Sequence, residues 1–305
     1  MEFDVEMDNM GFIGTKVLPP VEAQKPSGTF GVLPVEEMLK LRNTRRAPGA
    51  GYSRGEFKFE TLTFACEEHG AEEPVDDKEA EIYSEYFIAE QIAAMRARRA
   101  VLANYEDRVA SAVFNTSTWT GSSLTTAVST AWSNASSGAP VTDIMTAGGK
   151  VYDGCGVWPN ALIVNRKVFR NLKNSAQVLD RIASAGAGSS TKASDVTAEM
   201  LARVFDLDYV IVAGATKNSA NEGQAASLAA FWSSSYAMVC RIATGTDIKE
   251  TCIGRTFHYA GDGSNIGGTA EMYREEQTRS NVIRVRHDVD EVIVLAAAGH
   301  LLSGI

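Results

Sequence analysis

The chain has 305 residues, 45% apolar and 22% charged, a globular balance with length enough for one or two sizeable cores. A formal charge of −9 argues against direct nucleic-acid binding, which needs a basic footprint to displace counterions. The four cysteines and four histidines are scattered with no C-x-x-C pair, which argues for reduced thiols and against zinc, and no apolar window is long enough for a membrane span.

Residues 1–8 are acidic and lack the basic start and apolar run of a signal peptide. Over residues 1–41 apolar side chains, among them Phe12, Ile13, Val17 and Leu18, are interrupted by Gly11, Gly14, Pro19, Pro20, Pro26, Gly28, Gly31 and Pro34. Prolines at this density forbid a continuous helix or an internal strand, yet the apolar content is too high for a solvated tail. The expectation is an extended arm with hydrophobic anchors, seated on its own domain or, in preference, on a neighbouring subunit.

Residues 42–77 begin basic (Arg42, Arg45, Arg46, Arg54, Lys58) and end acidic (Glu67, Glu68, Glu72, Glu73, Asp76, Asp77). Between them Phe57, Phe59, Leu62 and Phe64 alternate with polar residues, which predicts a strand or hairpin. The two limbs are either solvated faces of one loop or a projecting hairpin whose basic limb meets the acidic patch of the next copy. No spacing typical of a calcium loop accompanies the acids.

Residues 76–114 hold no Pro or Gly and predict one long helix, with Asp76 as N-cap and acids in the first turns. Its apolar row is Ile88, Ile92, Met95, Leu102, Tyr105, Val109 and Val113, with a second row at Tyr83, Phe87, Ala94 and Val101. A helix of this length is a strut with other elements laid across it. Residues 116–138 are rich in Ser and Thr, punctuated by Trp119 and Trp132, and read as loop and short extended pieces.

Pro140 can open a helix, and residues 158–165 (WPNALIVN) predict a strand ending at Asn165, a good N-cap for a helix over 166–172. A second helix is expected near 176–182, another over 197–205 with Asp195 as cap, a buried strand over 208–212 and a strand-like stretch over 227–240. The stretch 184–192 fails the phosphate-loop pattern because Lys192 follows Thr191, and the glycines at 261 and 263 lack the frame of a dinucleotide site. The tail, 270–305, reads as a long extended ribbon ending in a core segment. Strand–helix–helix–strand order predicts a mixed α+β domain.

No nucleophile, acid–base pair or metal-ligating cluster is marked: His69, His258, His287 and His300 lie apart from any H-E-x-x-H or G-x-S-x-G pattern. The sequence predicts no catalytic residue, no cofactor and no metal.

The order of segments carries a resemblance. A proline-broken apolar arm precedes a charged, aromatic hairpin and an Ala/Arg-rich long helix. Then come W-P-N-A-L-I-V-N with N-R-x-x-F-x-x-L, the pair TAEMLARVFDLDYVIV, SLAAFWSSSYAMVC, and a strand at Tyr273-Arg-Glu-Glu-Gln-Thr-Arg-Ser. Over essentially the whole chain this resembles the tailed-bacteriophage major capsid proteins of the Hong Kong 97 fold.

The resemblance implies an α+β fold with an N-terminal arm (1–41), an extended β-hairpin loop (42–77), and a peripheral domain (78–154) with its spine helix (78–114). It further implies an axial domain (155–255), return strands of the peripheral domain (256–289) and a C-terminal axial segment (290–305). It implies a structural, non-enzymatic shell subunit of the virion, assembled in the host cytoplasm as hexamers and pentamers around double-stranded DNA that it does not bind specifically. Further implied partners are a portal protein and, as candidates, scaffolding and decoration proteins; no membrane is involved. The expected inter-subunit contacts are Phe12, Ile13, Val17, Leu18, Arg42, Arg45, Arg46, Arg54, Phe57, Lys58, Phe59, Glu67, Glu68, Glu72 and Glu73. Lys58 is the only lysine between Arg42 and Asp77, but no asparagine marks a cross-linking partner, so that role is not carried over. Some relatives carry a scaffolding segment before the arm; its absence from these 305 residues implies a separate scaffold protein, a cleaved segment, or numbering that begins after it. Two other readings stay open: an encapsulin-like compartment, and a soluble α+β enzyme or binding protein whose arm packs in cis.

Overall fold

The computed structural model describes residues 11–32, 34, 37, 39–54, 60–83, 88–184, 192–221, 223–261 and 263–305. The chain starts with a single helical turn, α1 (Gly14–Val17), and a short strand, β1 (Pro20–Ala23). Strand β2 (Ser27–Val32) then pairs antiparallel with β3 (Glu60–Ala65) as a two-stranded ribbon. The predicted strand over the aromatic stretch thus finds its partner in what the sequence assigned to the arm. Residues 55–59 lie outside the described residues. Strand β4 (Glu67–Asp76) runs straight into α2 (Asp77–Tyr83), where the Asp76 carboxylate accepts from Lys78 N at 2.8 Å, the predicted cap.

The long helix is α3 (Ala89–Val113), shorter at its start than the expected single helix from 76. At ~1.5 Å per residue it is about 37 Å long. It packs differently in its two halves. Ala93, Ala97 and Val101, four residues apart, lie against Val75, Ile283 and Val285 of the sheet beneath. The expected apolar row is buried only from Leu102 onward; Ile88, Ile92 and Met95 are 56%, 39% and 58% exposed. Alanines make the inner face because a helix lying flat on a sheet leaves little room for longer side chains.

That sheet is built on β13 (Ser280–Ile293), a 14-residue strand. One edge pairs with β4 over residues 280–289; the other pairs first with β12 (Thr269–Glu275) and then with β11 (Gly254–Tyr259). Strand β1 adds parallel to β11. Of the stretch YREEQTRS, expected as a strand, Tyr273–Glu275 end β12 and Ser280 opens β13, while residues 276–279 form the hairpin turn between them, with Arg279 at φ 51°.

The second sheet has the order β5 (Thr125–Ala127), β14 (Gly299–Ser303), β10 (Tyr236–Cys240), β6 (Ala161–Asn165), β7 (Tyr209–Ala213). Strands β6 and β7 are parallel and joined by α5 (Arg166–Asn174), α6 (Ala176–Ser184) and α7 (Ala198–Phe205), the long crossover that a parallel pair requires. Asn165 caps α5 as expected, accepting from Lys167 N and donating to the Trp232 carbonyl. Thr197, not Asp195, caps α7. Strand β7, expected to be buried, is an edge strand with Tyr209 48% exposed. Helix α4 (Pro140–Cys155) starts on its proline as predicted. A small hairpin of β8 (Thr216–Asn218) and β9 (Leu228–Ala230) completes the strands. Trp119, Trp132 and Trp232 are fully buried plugs of this half.

Candidate assembly surfaces

Shell formation needs surfaces that a chain cannot satisfy alone, so each expected contact residue has to be sorted into buried or available. Phe12, Ile13, Val17 and Leu18 are buried in their own chain, at 7%, 5%, 0% and 0% exposure. Within the chain they are anchors in cis. The reason is Glu106 on α3. Its carboxylate, 1% exposed, accepts from Ile13 N at 3.0 Å, Gly14 N at 2.7 Å and the Trp232 indole N–H at 2.6 Å. One side chain thus ties the arm, the long helix and the second sheet together. Burial pushes its pKa up, against the pull of the three N–H donors. Sequence reading missed Glu106, although its spacing of four from Leu102 and seven from Val113 places an acid on an apolar face.

The ribbon of β2 and β3 lies on the face of the β13 sheet opposite α3. Phe257, 1% exposed, stacks on Phe64 with centroids 4.5 Å apart and meets Phe30 at 5.1 Å. Asp290, opposite Phe257 in register, accepts from Ala65 N at 2.8 Å. The root of the ribbon is therefore fixed by an aromatic cluster.

Beyond this root the chain is bare. Every residue from 39 to 54 is exposed, with Leu41 at 99%. Arg42, Arg45, Arg46 and Arg54 all stand in this stretch. Arg46 donates to Ala50 O at 2.6 Å and lies 4.9 Å from the Tyr52 ring centre, contacts confined to the tip itself. Phe57, Lys58 and Phe59 lie outside the described residues.

The acidic limb is divided. Glu72 pairs with Arg284 at 2.6 Å and Glu73 with Arg96 at 3.5 Å, so both already hold a cation in cis. Asp77 receives Arg274 at 2.7 Å, which holds its carboxyl below the usual range. Glu67 and Glu68 are exposed at the end of β4, with Glu68 directly opposite Asp288 in register.

Under α3 three histidines converge through strand pairing: His69 opposite His287, and His258 opposite Val289. His287 is fully buried, 6.0 Å from the His69 ring and 6.1 Å from Tyr105, and its Nδ1 pairs with the Ile266 carbonyl at 2.9 Å. Burial lowers its pKa to about 4, and Arg108 and the other two histidines push the same way. Among the described residues no group of His, Cys, Asp and Glu has the disposition to hold a metal, and no helix is long and apolar enough to cross a membrane.

No family model matches the chain. It is 26% identical over 208 residues to the major capsid protein of Burkholderia phage BcepMu, which covers 67% of this chain and 64% of that protein. The match therefore spans less than two thirds of the relative's own length. Among solved structures it resembles a phage-related protein from Bordetella bronchiseptica, with a TM-score of 0.71, 20% identity, and coverage of 96% of this chain and 92% of the other. It also resembles the capsid structure of cyanophage P-SCSP1u, at a TM-score of 0.61, 10% identity, and coverage of 94% and 86%. The chain therefore has an α+β fold of the Hong Kong 97 type, the fold it shares with these structures.

Proposed function

We propose that this chain is the major capsid protein of a tailed phage, assembling as hexamers and pentamers into an icosahedral or prolate shell around double-stranded DNA. The observation that carries the reading is the fold shared over 94% of the chain with a cyanophage capsid structure, together with 26% sequence identity to a phage major capsid protein. The role is structural rather than catalytic. In this reading the β13 sheet with α3 is the peripheral domain and the sheet from β5 to β7 the axial domain. The two-sheet layout of the chain supports that division. The ribbon tip supplies contacts to neighbouring copies, and the net charge of −9 suits a wall that lies against DNA without binding it. Portal, scaffolding and decoration proteins, and assembly in the host cytoplasm before release in the virion, belong to the same proposal.

The test is to purify particles containing this chain from the producing host, treat them with nuclease and extract the contents. The expected result is shells seen by negative stain that protect double-stranded DNA. Shells that hold only a protein cargo would favour the encapsulin-like reading, and a stable monomer as the sole native form would overturn both.

A further inference from the structure

Strand β5 edges the second sheet with three residues, Thr125–Ala127, paired parallel to β14. Thr-Thr-Ala brings no large apolar side chain to bury, and a parallel pair this short carries few backbone bonds. Two side chains from behind hold it: His300 on β14 and Lys150 on α4. Nothing in the shell reading uses either.

His300 is fully buried, while the segment it binds lies at the surface, with Gly121, Ser122 and Ser123 exposed. Its Nδ1 meets the Ser123 carbonyl at 2.8 Å and its Nε2 the Thr126 hydroxyl at 2.9 Å. A carbonyl only accepts, so Nδ1 carries the proton, and Nε2 of the neutral ring accepts from Thr126. Lys150 Nζ donates to the same Thr126 oxygen at 2.7 Å and to the Ser122 carbonyl at 2.9 Å. The lysine nitrogen and His300 Nε2 thus share one hydroxyl and lie within about 6 Å of each other, where like charges act strongly.

The arrangement has room for one cation. A proton on Nε2 takes away the acceptor for the Thr126 hydroxyl and sets an imidazolium beside the Lys150 ammonium. From β10, Val239 stands opposite His300, while Cys240 and Tyr236 pair with Gly299 and Ser303 instead. On α4, Asp143 holds the Trp132 indole and Asp153 is exposed, so Lys150 is the charged group that acts on the imidazole. Burial holds the His300 pKa below its ordinary 6.5, Lys150 pushes the same way, and the Ser123 carbonyl opposes them. A histidine lowered in this way keeps the closed form stable above 6.5 and weakens it as the pH falls. We infer that β5 is a pH-sensitive clasp: uptake of one proton by His300 breaks the shared Thr126 contact and releases residues 121–127, baring the outer edge of β14.

The test is hydrogen–deuterium exchange of the full-length chain, read by mass spectrometry on peptides within 121–128 and 299–303, each rate divided by its intrinsic rate at that pH. Protection there is expected to fall by up to tenfold for each pH unit below about 6.5, the slope of a one-proton linkage, while residues 161–165 in the middle of the sheet keep theirs. His300→Gln retains a donor for Ser123 and an acceptor for Thr126 with no charge to gain, so its profile should be flat. Lys150→Met leaves His300 titratable without the second cation: lower protection at neutral pH and a smaller fall on acidification are expected. Protection indifferent to pH, a slope that survives in His300→Gln, or an undiminished fall in Lys150→Met would each overturn the clasp. If circular dichroism shows that His300→Gln does not fold, the Lys150→Met profile decides alone.

Discussion

Position 106 puts a glutamate on an apolar helix face, where its carboxylate replaces water for two backbone N–H groups and an indole. Glu106→Ala strands three donors in a dry site, and each unmade bond to a charged group costs on the order of 1.5–3 kcal/mol. The expected loss is about 3 kcal/mol or more, read as a lower urea midpoint of the full chain, with Glu106→Gln intermediate. His287 sets a pH dependence. Its ordinary value of 6.5 falls to about 4 in the fold, so the unfolded chain binds the proton more readily between those values. Stability is full above 6.5 and falls as the pH drops toward 4, by about 3 kcal/mol for a shift of this size. His69 is shifted in the same direction by burial and adds to the slope, while the raised Glu106 works in the opposite sense. Urea titrations across this window should show the fall, and His287→Phe should flatten it whatever it does to stability at neutral pH. The sequence offers a signal for Glu106, its spacing within the apolar row, although it was passed over. It held no sign of the histidine cluster, because residues 69, 258 and 287 meet only through long-range strand register.

For the elements, α3 shows what one-dimensional periodicity can and cannot carry. Its existence, its Asp76 approach and the buried end from Leu102 to Val113 were legible in composition and spacing. The face that lies on the sheet was not, because alanines at 93 and 97 give no apolar signal while Ile88, Ile92 and Met95 give a strong one. Space, not hydrophobicity, selected the inner face. Ala97 is fully buried beside Val101 and Val285, so Ala97→Leu should cost ~1–3 kcal/mol by overpacking and raise the unfolding rate. The β6–α5 unit was legible to its cap, since Asn165 both ends the strand and begins the helix. The hairpin was half legible: alternation announced β3, but its partner β2 lies 28 residues or more away by register, across a stretch no local rule connects.

On the scale of the whole molecule, the arm and the loop part company. Both look unable to satisfy their apolar side chains locally, and sequence alone gave no means of telling them apart. The arm around Ile13 to Leu18 is satisfied in cis because Glu106 caps it and the long helix offers it a second face. The tip, residues 39–54, has no such host and stays exposed with Arg42, Arg45, Arg46, Arg54 and Leu41. We propose that the exposed acids Glu67 and Glu68 of another copy offer its arginines the complementary charge. The account rests on the tip needing another copy. Sedimentation velocity of the wild-type chain beside the variant Arg42→Glu, Arg45→Glu, Arg46→Glu, Arg54→Glu tests this most directly. Large closed particles for the wild type, and small folded species for the variant with unchanged circular dichroism, are predicted; a wild-type monomer, or particles that survive the charge reversal, would contradict it.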